Sequence, residues 1–201
     1  MGIDRVLTMK YDLSLDHLVD TLGTWGHLPA TEEVFDIFQN IQLSLEPKNV
    51  LEIGFHLGHS TTYQLELFKN AKITSISPKY GDGPVKNIVD WTAETRQKQY
   101  EKMKDKYGDR FNWIPKKTRD ALEESRNCGP FDFAFIDGCH SFENTKIDLA
   151  LCETLNIKNV VIDNLEKQDV YLAVKRSEWK IHRMVAYIDD DHANVMGFLE
   201  G

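Results

Sequence analysis

The chain has 201 residues, which fits one domain with a sizeable core. Its 32 acidic residues outnumber its 24 lysines and arginines, and a net charge of −8 disfavours nucleic acid or an acidic membrane as the main partner. The sequence shows no apolar run of membrane-spanning length, no signal peptide at residues 1–10 and no C-x-x-C pair among its three cysteines. We expect a cytoplasmic protein that binds neither nucleic acid nor membrane.

The first half of the chain alternates helical and apolar patterns. Thr31 is expected to cap a helix that ends before Pro47, with Glu32 and Glu33 in its first turn. A stretch rich in glycine and proline, residues 79–89, predicts a surface loop. The predicted elements here are a helix to residue 45, a strand over 49–53, a helix over 61–69 and a strand over 73–77.

The second half continues the alternation, which is typical of βαβ units. Helices are predicted over residues 91–107, 120–125, 141–155 and 170–176, and strands over 111–115, 131–137, 159–163, 180–185 and 194–199. Residues 131–137 are almost continuously apolar, as in a central parallel strand that is covered on both faces. The expected fold is an α/β, Rossmann-like, doubly wound domain. Its sheet would be seven-stranded and mostly parallel, with helices on both faces and an antiparallel C-terminal strand.

We expect one domain over residues 1–201. Within it, residues 1–45 would form a helical extension and residues 46–201 the cofactor-binding core. In the extension, the segment Gly-Thr-Trp-Gly-His at residues 23–27 suggests either a substrate lid or a tryptophan packed on the sheet.

Residues 50–61 predict a buried strand, a glycine turn and the start of a helix. Gly54 and Gly58 would let the backbone approach a ligand closely, near the positive end of that helix. The spacing E-x-G-x-x-x-G-x-S differs from the dinucleotide fingerprint G-x-G-x-x-G, which disfavours a nicotinamide oxidoreductase. The acidic Glu52, two positions before the first glycine, suits a cationic or amino-bearing ligand.

Two carboxylates and an amide follow two of the predicted strands. Asp137 ends the strand over 131–137, and Asp163 and Asn164 end the strand over 159–163. Ligands of open α/β sheets bind at this edge, and an oxygen-only set of donors suits Mg²⁺. The alternative is that these residues are helix caps and turn formers.

The glycine turn resembles motif I of class I S-adenosylmethionine-dependent methyltransferases, in the small-molecule O-methyltransferase branch. The residues that carry this likeness are Glu52, Gly54, Gly58 and Ser60. The resemblance implies S-adenosylmethionine as cofactor, with the turn against its methionine part. It also implies that Glu52 orients the turn and the cofactor's amino group.

The later residues are similar to more specific patterns. Asp137, Asp163 and Asn164 correspond to the metal triad of catechol and caffeoyl-CoA O-methyltransferases, which implies Mg²⁺ or another divalent cation. The run D-G-C-H-S-F-E from Asp137, with Asp148 beyond it, resembles the D-G-x-H-S-Y-E signature of a bacterial branch that includes enzymes acting on sugar and antibiotic hydroxyls. Asp137 is also expected to border the cofactor.

His140 is the expected general base, since it stands where the catechol-type enzymes carry a lysine. An imidazole changes charge near neutral pH, so it could take the proton of an acceptor hydroxyl that then attacks the sulfonium methyl. The alternative is that His140 only caps the next helix. His56 and His59, in the glycine turn, are expected to be exposed loop residues, with a place at the border of the cofactor as the alternative.

Two other positions are assigned through the resemblance. Ser77 stands where the family usually has an acidic residue for the cofactor's ribose, so a neutral hydrogen bond would replace a charge-assisted one. Asp82, in the following loop, is an alternative for that role. Asp120 is expected either to contact the adenine or to cap a helix.

The sequence thus predicts an S-adenosylmethionine-dependent, Mg²⁺-assisted O-methyltransferase that acts on a hydroxyl of a small molecule. Two alternatives stay open: a metal-independent methyltransferase, and a catalytically weak methyltransferase fold that serves as a binding or regulatory module. Relatives of this kind often form homo-oligomers, so a homo-oligomer is expected as well.

Overall fold

A computed structural model describes residues 31–79, 93–189 and 192–201. Its centre is a seven-stranded sheet in the order β3-β2-β1-β4-β5-β7-β6, with β7 antiparallel to both of its neighbours. The strands are β1 Asn49–Ile53, β2 Lys72–Ile76, β3 Phe111–Ile114, β4 Phe133–Ile136, β5 Asn159–Ile162, β6 Lys180–Asp189 and β7 His192–Glu200.

The described helices cover both faces of the sheet. They are α1 Glu32–Leu45, α2 His59–Leu67, α3 Ala93–Tyr107, α4 Leu122–Cys128, α5 Phe142–Thr154 and α6 Gln168–Lys175. Two short 3₁₀ helices, Gly108–Arg110 and Thr118–Asp120, flank β3. One core layer packs α1, α2 and α3 on the sheet and is rich in phenylalanine. The other packs α5 and α6 on the opposite face.

Local sequence signals set the ends of α1 and α5. The Thr31 hydroxyl accepts a hydrogen bond from the backbone N–H of Val34, and α1 ends at Glu46 in the left-handed conformation. The Ser141 hydroxyl caps α5 in the same way by accepting from Asn144 N–H. Serine and threonine are favoured at this position because their hydroxyls accept a hydrogen bond from a backbone N–H group that has no partner within the helix. Since Ser141 is the cap, the interpretation of His140 as the cap is wrong.

Hydrogen bonds between strand ends arrange the edge of the sheet where the strands finish. Each of the residues that follow β1, β2, β4 and β5 donates its backbone N–H to the last carbonyl, or nearly the last, of an adjacent strand. These bonds are Gly54 to Ile76, Ser77 to Ile114, Asp137 to Ile53 and Asp163 to Ile136, with N···O distances of 2.8–3.2 Å. The polar residues after four strands therefore stand in one row along the carboxyl edge.

The predicted fold class is confirmed, including the doubly wound topology and the antiparallel strand. The boundaries differ most in the C-terminal hairpin, where β6 runs to Asp189 rather than to residue 185. The predictions for residues 23–27, for Asp82 and for the start of the helix at residue 91 lie outside the described residues. Within the described residues, no helix is long and apolar enough to cross a membrane.

Candidate active site

A cavity of about 310 Å³ opens along the row of strand ends. Its apolar wall includes Ile53, Ile76, Pro78 and Ile147, which would suit a flat apolar group. The polar residues that line it are His56, Ser77, Arg96, Lys117, Thr118, Arg119, Asp137, Cys139, His140, Asn144 and Asp148. The position agrees with the rule that open α/β sheets bind ligands beyond the carboxyl ends of their strands.

Glu52 lies beneath the glycine turn and is fully buried. Four side chains of the chain itself donate hydrogen bonds to its two carboxylate oxygens: Ser60, Thr61, Gln64 and Ser75. Burial raises the pKa of Glu52 to about 7, although these bonds oppose the shift. Glu52 therefore ties the start of α2 to β1 and β2. Neither Glu52 nor Ser60 lines the cavity.

Gly54 and Gly58 have different reasons to be glycine. A Cβ atom on Gly54, whose φ is +114°, would lie 1.9 Å from the backbone oxygen of Asp137. A Cβ on Gly58, whose φ is +82°, would meet the sulfur of Met103 at 2.5 Å. Gly54 lines the cavity and packs closely against Asp137 at the end of β4, whereas Gly58 faces the packed core beneath α3. The close approach that the sequence predicts at Gly58 is thus an approach to the core.

Ser77 lines the cavity at the end of β2 and is held there through its backbone. Its carbonyl accepts a hydrogen bond of 2.9 Å from the indole N–H of Trp113. Beside it, the buried Arg96 donates to the Pro78 carbonyl, and burial lowers the pKa of the Arg96 guanidinium. The position that the resemblance gives to the cofactor's ribose thus holds a hydroxyl next to a guanidinium.

Asp137, His140 and Lys167 form a chain of contacts beside the cavity. Nε2 of His140 lies 3.4 Å from Oδ1 of Asp137, and the Lys167 amine contacts Nδ1 of the same ring. The Asp137 and His140 side chains remain 18% and 32% exposed, so both are accessible from the cavity. The imidazole is held at both nitrogens and faces the space that a ligand would enter.

Asp163 and Asn164 follow β5 and are buried, with Asn164 in the left-handed conformation at φ 56°. The Tyr187 hydroxyl lies 3.0 Å from both carboxylate oxygens of Asp163. Burial and the charge of Asp137 raise the pKa of Asp163 well above its usual range. The amide nitrogen of Asn164 donates to Asn194 and to Glu166, at 3.3 Å each.

These donors fit a cation in their chemistry, although they do not form a conventional metal cluster. Among residues 31–79, 93–189 and 192–201, no three His, Cys, Asp or Glu side chains are grouped so that they could hold a metal. Two carboxylates interact unfavourably at Asp137 and Asp163, and the Asn164 side chain orients its nitrogen toward other acceptors. Like charges that are buried together are compensated by a cation or by a proton.

Two expectations about loop residues need correction. Asp120 is exposed, does not line the cavity and does not cap α4, because its N–H closes the 3₁₀ turn by donating to the Lys117 carbonyl. His59 is buried and His56 is half-buried, so neither is an exposed loop residue. His56, which has a left-handed φ of 44°, borders the cavity.

Sequence reasoning assigned no role to Asp148, Tyr187 or Lys167. Asp148 lines the cavity, Tyr187 holds Asp163 and Lys167 holds His140. Asp148 could have been found, since it follows Asn144 by four residues and so lies on the same face of a predicted helix. No local pattern links Tyr187 or Lys167 to the site, because tertiary pairing brings them there.

Comparison with known proteins gives the class of the chain. Residues 51–162 match the model of a methyltransferase domain family, which is more than half of the sequence. The chain belongs to this family and is an S-adenosylmethionine-dependent methyltransferase. The matched segment runs from β1 to β5 and so contains the glycine turn and Asp137. No curated protein matches the sequence significantly.

Solved structures share the fold at low sequence identity. Rv0187 from MTB, in a cofactor-bound structure, is 15% identical with a TM-score of 0.68, over 96% of this chain and 92% of that one. The O-methyltransferase from Bacillus cereus in complex with SAH is 14% identical with a TM-score of 0.68, over 97% and 94%. TomG from Streptomyces achromogenes, an O-methyltransferase of tomaymycin synthesis in complex with SAM, is 14% identical with a TM-score of 0.64, over 96% and 92%.

Proposed function

We propose that this methyltransferase transfers the methyl group of S-adenosylmethionine to a hydroxyl of a small molecule, with the help of a divalent cation. One observation carries the proposal: Gly54, Ser77, Asp137 and Asp163 stand in a single row of strand ends, and the first three of them line one cavity. The row combines a backbone turn, a hydroxyl and two carboxylates, with His140 beside them. The likeness to O-methyltransferases in complex with SAM or SAH and the net charge of −8 support a small-molecule acceptor.

The cavity residues fit an S-adenosyl cofactor. Apolar side chains from Ile53, Ile76 and Ile147 can cover a nucleobase, and Ser77 can hydrogen-bond a ribose hydroxyl. Gly54 brings bare backbone to the cavity beside Asp137. When bound, the cofactor supplies an electrophilic methyl group. The chain's contribution is to hold that group and the acceptor in line and to exclude water.

Asp137, Asp163 and Asn164 are the residues that would hold Mg²⁺ or a similar cation. A cation there would supply a Lewis acid that polarises the acceptor oxygen. It would also compensate the two carboxylates, since burial and the charge of Asp137 raise the pKa of Asp163. Binding would require the Asn164 side chain to turn its carbonyl oxygen toward the two aspartates.

His140 is the group that would take the acceptor's proton, at Nε2. Proton uptake at Nε2 requires the neutral ring to carry its own proton at Nδ1, where the Lys167 amine now lies. The Lys167 contact must therefore open, or Lys167 must be a neutral amine that accepts a hydrogen bond from Nδ1–H, while the base acts. Asp137 would steady the imidazolium that forms.

A metal-independent methyltransferase is a second candidate because of the contact between His140 and Asp137. An imidazole next to a carboxylate is a sufficient base in many enzymes. Tyr187 already donates to both oxygens of Asp163, so that carboxylate has a partner without a cation.

Calorimetry and a metal titration test the proposal. Metal-stripped protein should bind S-adenosylhomocysteine, and adding Mn²⁺ should produce a second binding event that Asp137→Asn abolishes. The matched control, Asp105→Asn, changes an exposed aspartate on α3 and should bind both ligands as the wild type does. Absence of S-adenosylhomocysteine binding at millimolar concentration would leave only the binding-module alternative.

An activity screen tests the base. Release of S-adenosylhomocysteine is followed while the enzyme is offered phenols, sugars and polyketide alcohols. With any acceptor that reacts, His140→Gln should slow turnover about 100-fold or more while cofactor affinity is kept. Full activity after chelation would favour the metal-independent candidate, and an unchanged rate in His140→Gln would remove the histidine from the mechanism.

A further inference from the structure

Asp148 is a buried acid that the mechanism above does not use. It lies on α5, is 3% exposed and lines the cavity. The neighbours that act favourably on its charge are the Thr118 hydroxyl, which hydrogen-bonds it, and the His140 imidazole. Burial outweighs both and raises its pKa to about 7. A carboxyl group of this kind gains from a hydrogen-bond donor on a ligand.

The other polar groups on this wall are already engaged with each other. The amide nitrogen of Asn144, one turn earlier on α5, donates to the Ser141 hydroxyl at 2.8 Å. Its amide oxygen accepts from the Arg119 guanidinium at 3.4 Å. Asp148, which has two carboxylate oxygens, is therefore the carboxylate acceptor that α5 places in the cavity wall.

Apolar side chains also lie near the carboxyl group of Asp148. A Cβ atom placed on Gly138 would lie 3.1 Å from Oδ2 of Asp148 and 3.3 Å from Cγ2 of Ile53, so the two side chains are neighbours under that glycine. Ile147 precedes Asp148 on α5 and also lines the cavity. One acceptor set among apolar surfaces suits the edge of a planar base better than a ribose or a charged amine, which need several polar partners.

We propose that Asp148 is a specificity-determining residue that accepts a hydrogen bond from the exocyclic amino group of an adenine base in the cavity. The inference rests on the proposed function, since it takes the ligand to be an S-adenosyl compound. It places base recognition on α5, in the same wall as Thr118, and not on the exposed Asp120.

Comparison of two ligands on one protein tests this directly. S-inosylhomocysteine differs from S-adenosylhomocysteine in carrying a carbonyl oxygen where adenine has its amino group. At pH 9, where Asp148 is ionised, its carboxylate would face that oxygen and oppose an acceptor with an acceptor. The wild type should therefore bind the inosyl compound at least about tenfold more weakly, measured as a ratio of two Kd values by calorimetry.

The Asp148→Asn variant should lose the preference. An amide can present either its oxygen or its nitrogen, so the ratio should fall to within about threefold. The ratio compares two ligands on the same preparation, so partial loss of folded protein does not alter it. If the amide variant does not fold, Asp148→Ser also removes the carboxylate and should lower the ratio in the same way.

The Thr118→Val variant shows whether Asp148 recognises the base or only supports the 3₁₀ helix Thr118–Asp120. It removes the hydroxyl that Asp148 holds but keeps the carboxylate, so the tenfold preference should persist even where both affinities fall. The inference is overturned by equal affinity of the wild type for both ligands, by an unchanged ratio without the carboxylate, or by a Thr118→Val ratio that also falls. If the wild type binds neither ligand, the proposed function fails, and this inference fails with it.

Discussion

Glu52 in β1 and Asp163 after β5 are both buried acidic side chains, but the groups around them differ. Glu52 receives hydrogen bonds from three hydroxyls and an amide, all from its own region of the fold. Asp163 receives both of its side-chain bonds from the single hydroxyl of Tyr187, and the carboxylate of Asp137 raises its pKa further.

The contrast separates a carboxylate that builds the fold from one that is available for chemistry. Donors that surround a buried carboxylate offset part of the cost of its burial within the folded chain, so no ligand is needed to hold it. A buried charge beside a like charge is compensated only when a proton or a cation arrives. We therefore infer that Glu52 supports the glycine turn, whereas the proposed function uses Asp163, with Asp137, in the reaction.

Gly54→Ala is the substitution with the largest expected effect. It tests whether the region around Glu52 and the region around Asp137 and Asp163 depend on each other. The new Cβ would overlap the backbone oxygen of Asp137, which β4 holds in place, and the φ of +114° strains any other residue. The free energy of unfolding should fall by more than about 4 kcal/mol, and Mn²⁺ binding should be lost as well. Urea unfolding and calorimetry measure the two effects.

Two other glycines provide graded controls. Gly58→Ala meets a flexible methionine side chain and a φ of +82°, so a loss of about 1–3 kcal/mol is expected. Gly108→Ala has no atom within 4 Å of its new Cβ and should cost about 1 kcal/mol. If the three variants were equally stable, the close contact between the turn and Asp137 would not exist.

Glu52→Gln tests the turn region through pH. The pKa of Glu52 is about 7 in the folded protein against 4.5 for the free side chain, so the folded state binds the proton more tightly. Folding stability from this group is therefore complete below pH 4.5 and is lost as the pH rises to 7, by about 3 kcal/mol in all. Glutamine has no proton to lose. The stability of the variant relative to the wild type should thus increase between pH 5 and pH 8.

The quantity to measure is how the difference in stability between the variant and the wild type changes with pH, and not its value at one pH. Glutamine changes the hydrogen bonds around position 52 by a fixed amount, whereas the ionisation cost varies with pH. Glu178→Gln, an exposed control, should give a difference that is flat with pH. A flat difference for Glu52→Gln would mean that its hydrogen bonds fully offset burial.

The sequence was informative wherever local pattern decides the structure. Alternating elements fixed the doubly wound sheet, and Thr31 and Pro47 marked the first helix, because caps, turns and apolar runs act over a few residues. The row of strand ends also followed from topology alone, since parallel strands finish at one edge.

Partnerships across the fold could not be read in this way. Glu52 was expected at the cofactor, but it is enclosed because Ser75 on β2 and Gln64 on α2 converge on it. Tyr187 reaches Asp163 only because β7 lies between β5 and β6 and sets the register of the hairpin. Nothing in the residues around Tyr187 indicates such a contact.

Tyr187→Phe tests the acidic region with the smallest expected effect. The hydroxyl lies 3.0 Å from each oxygen of Asp163 and would fix the orientation of a metal-binding carboxylate. Loss of such a supporting hydrogen bond typically costs 10- to 100-fold in metal affinity, and we expect about tenfold for Mn²⁺, measured by calorimetry. Tyr171→Phe, at an exposed tyrosine on α6, should leave Mn²⁺ affinity unchanged.

The direction of the Mn²⁺ result decides what the phenol does. If Tyr187 orients Asp163 for a cation, the phenylalanine variant binds Mn²⁺ more weakly. If Tyr187 instead occupies Asp163 in place of a cation, removing the hydroxyl frees two acceptor positions, and affinity rises. The second result would mean that Asp163, like Glu52, is a carboxylate whose charge the fold itself compensates. It would also favour the metal-independent reaction through Asp137 and His140.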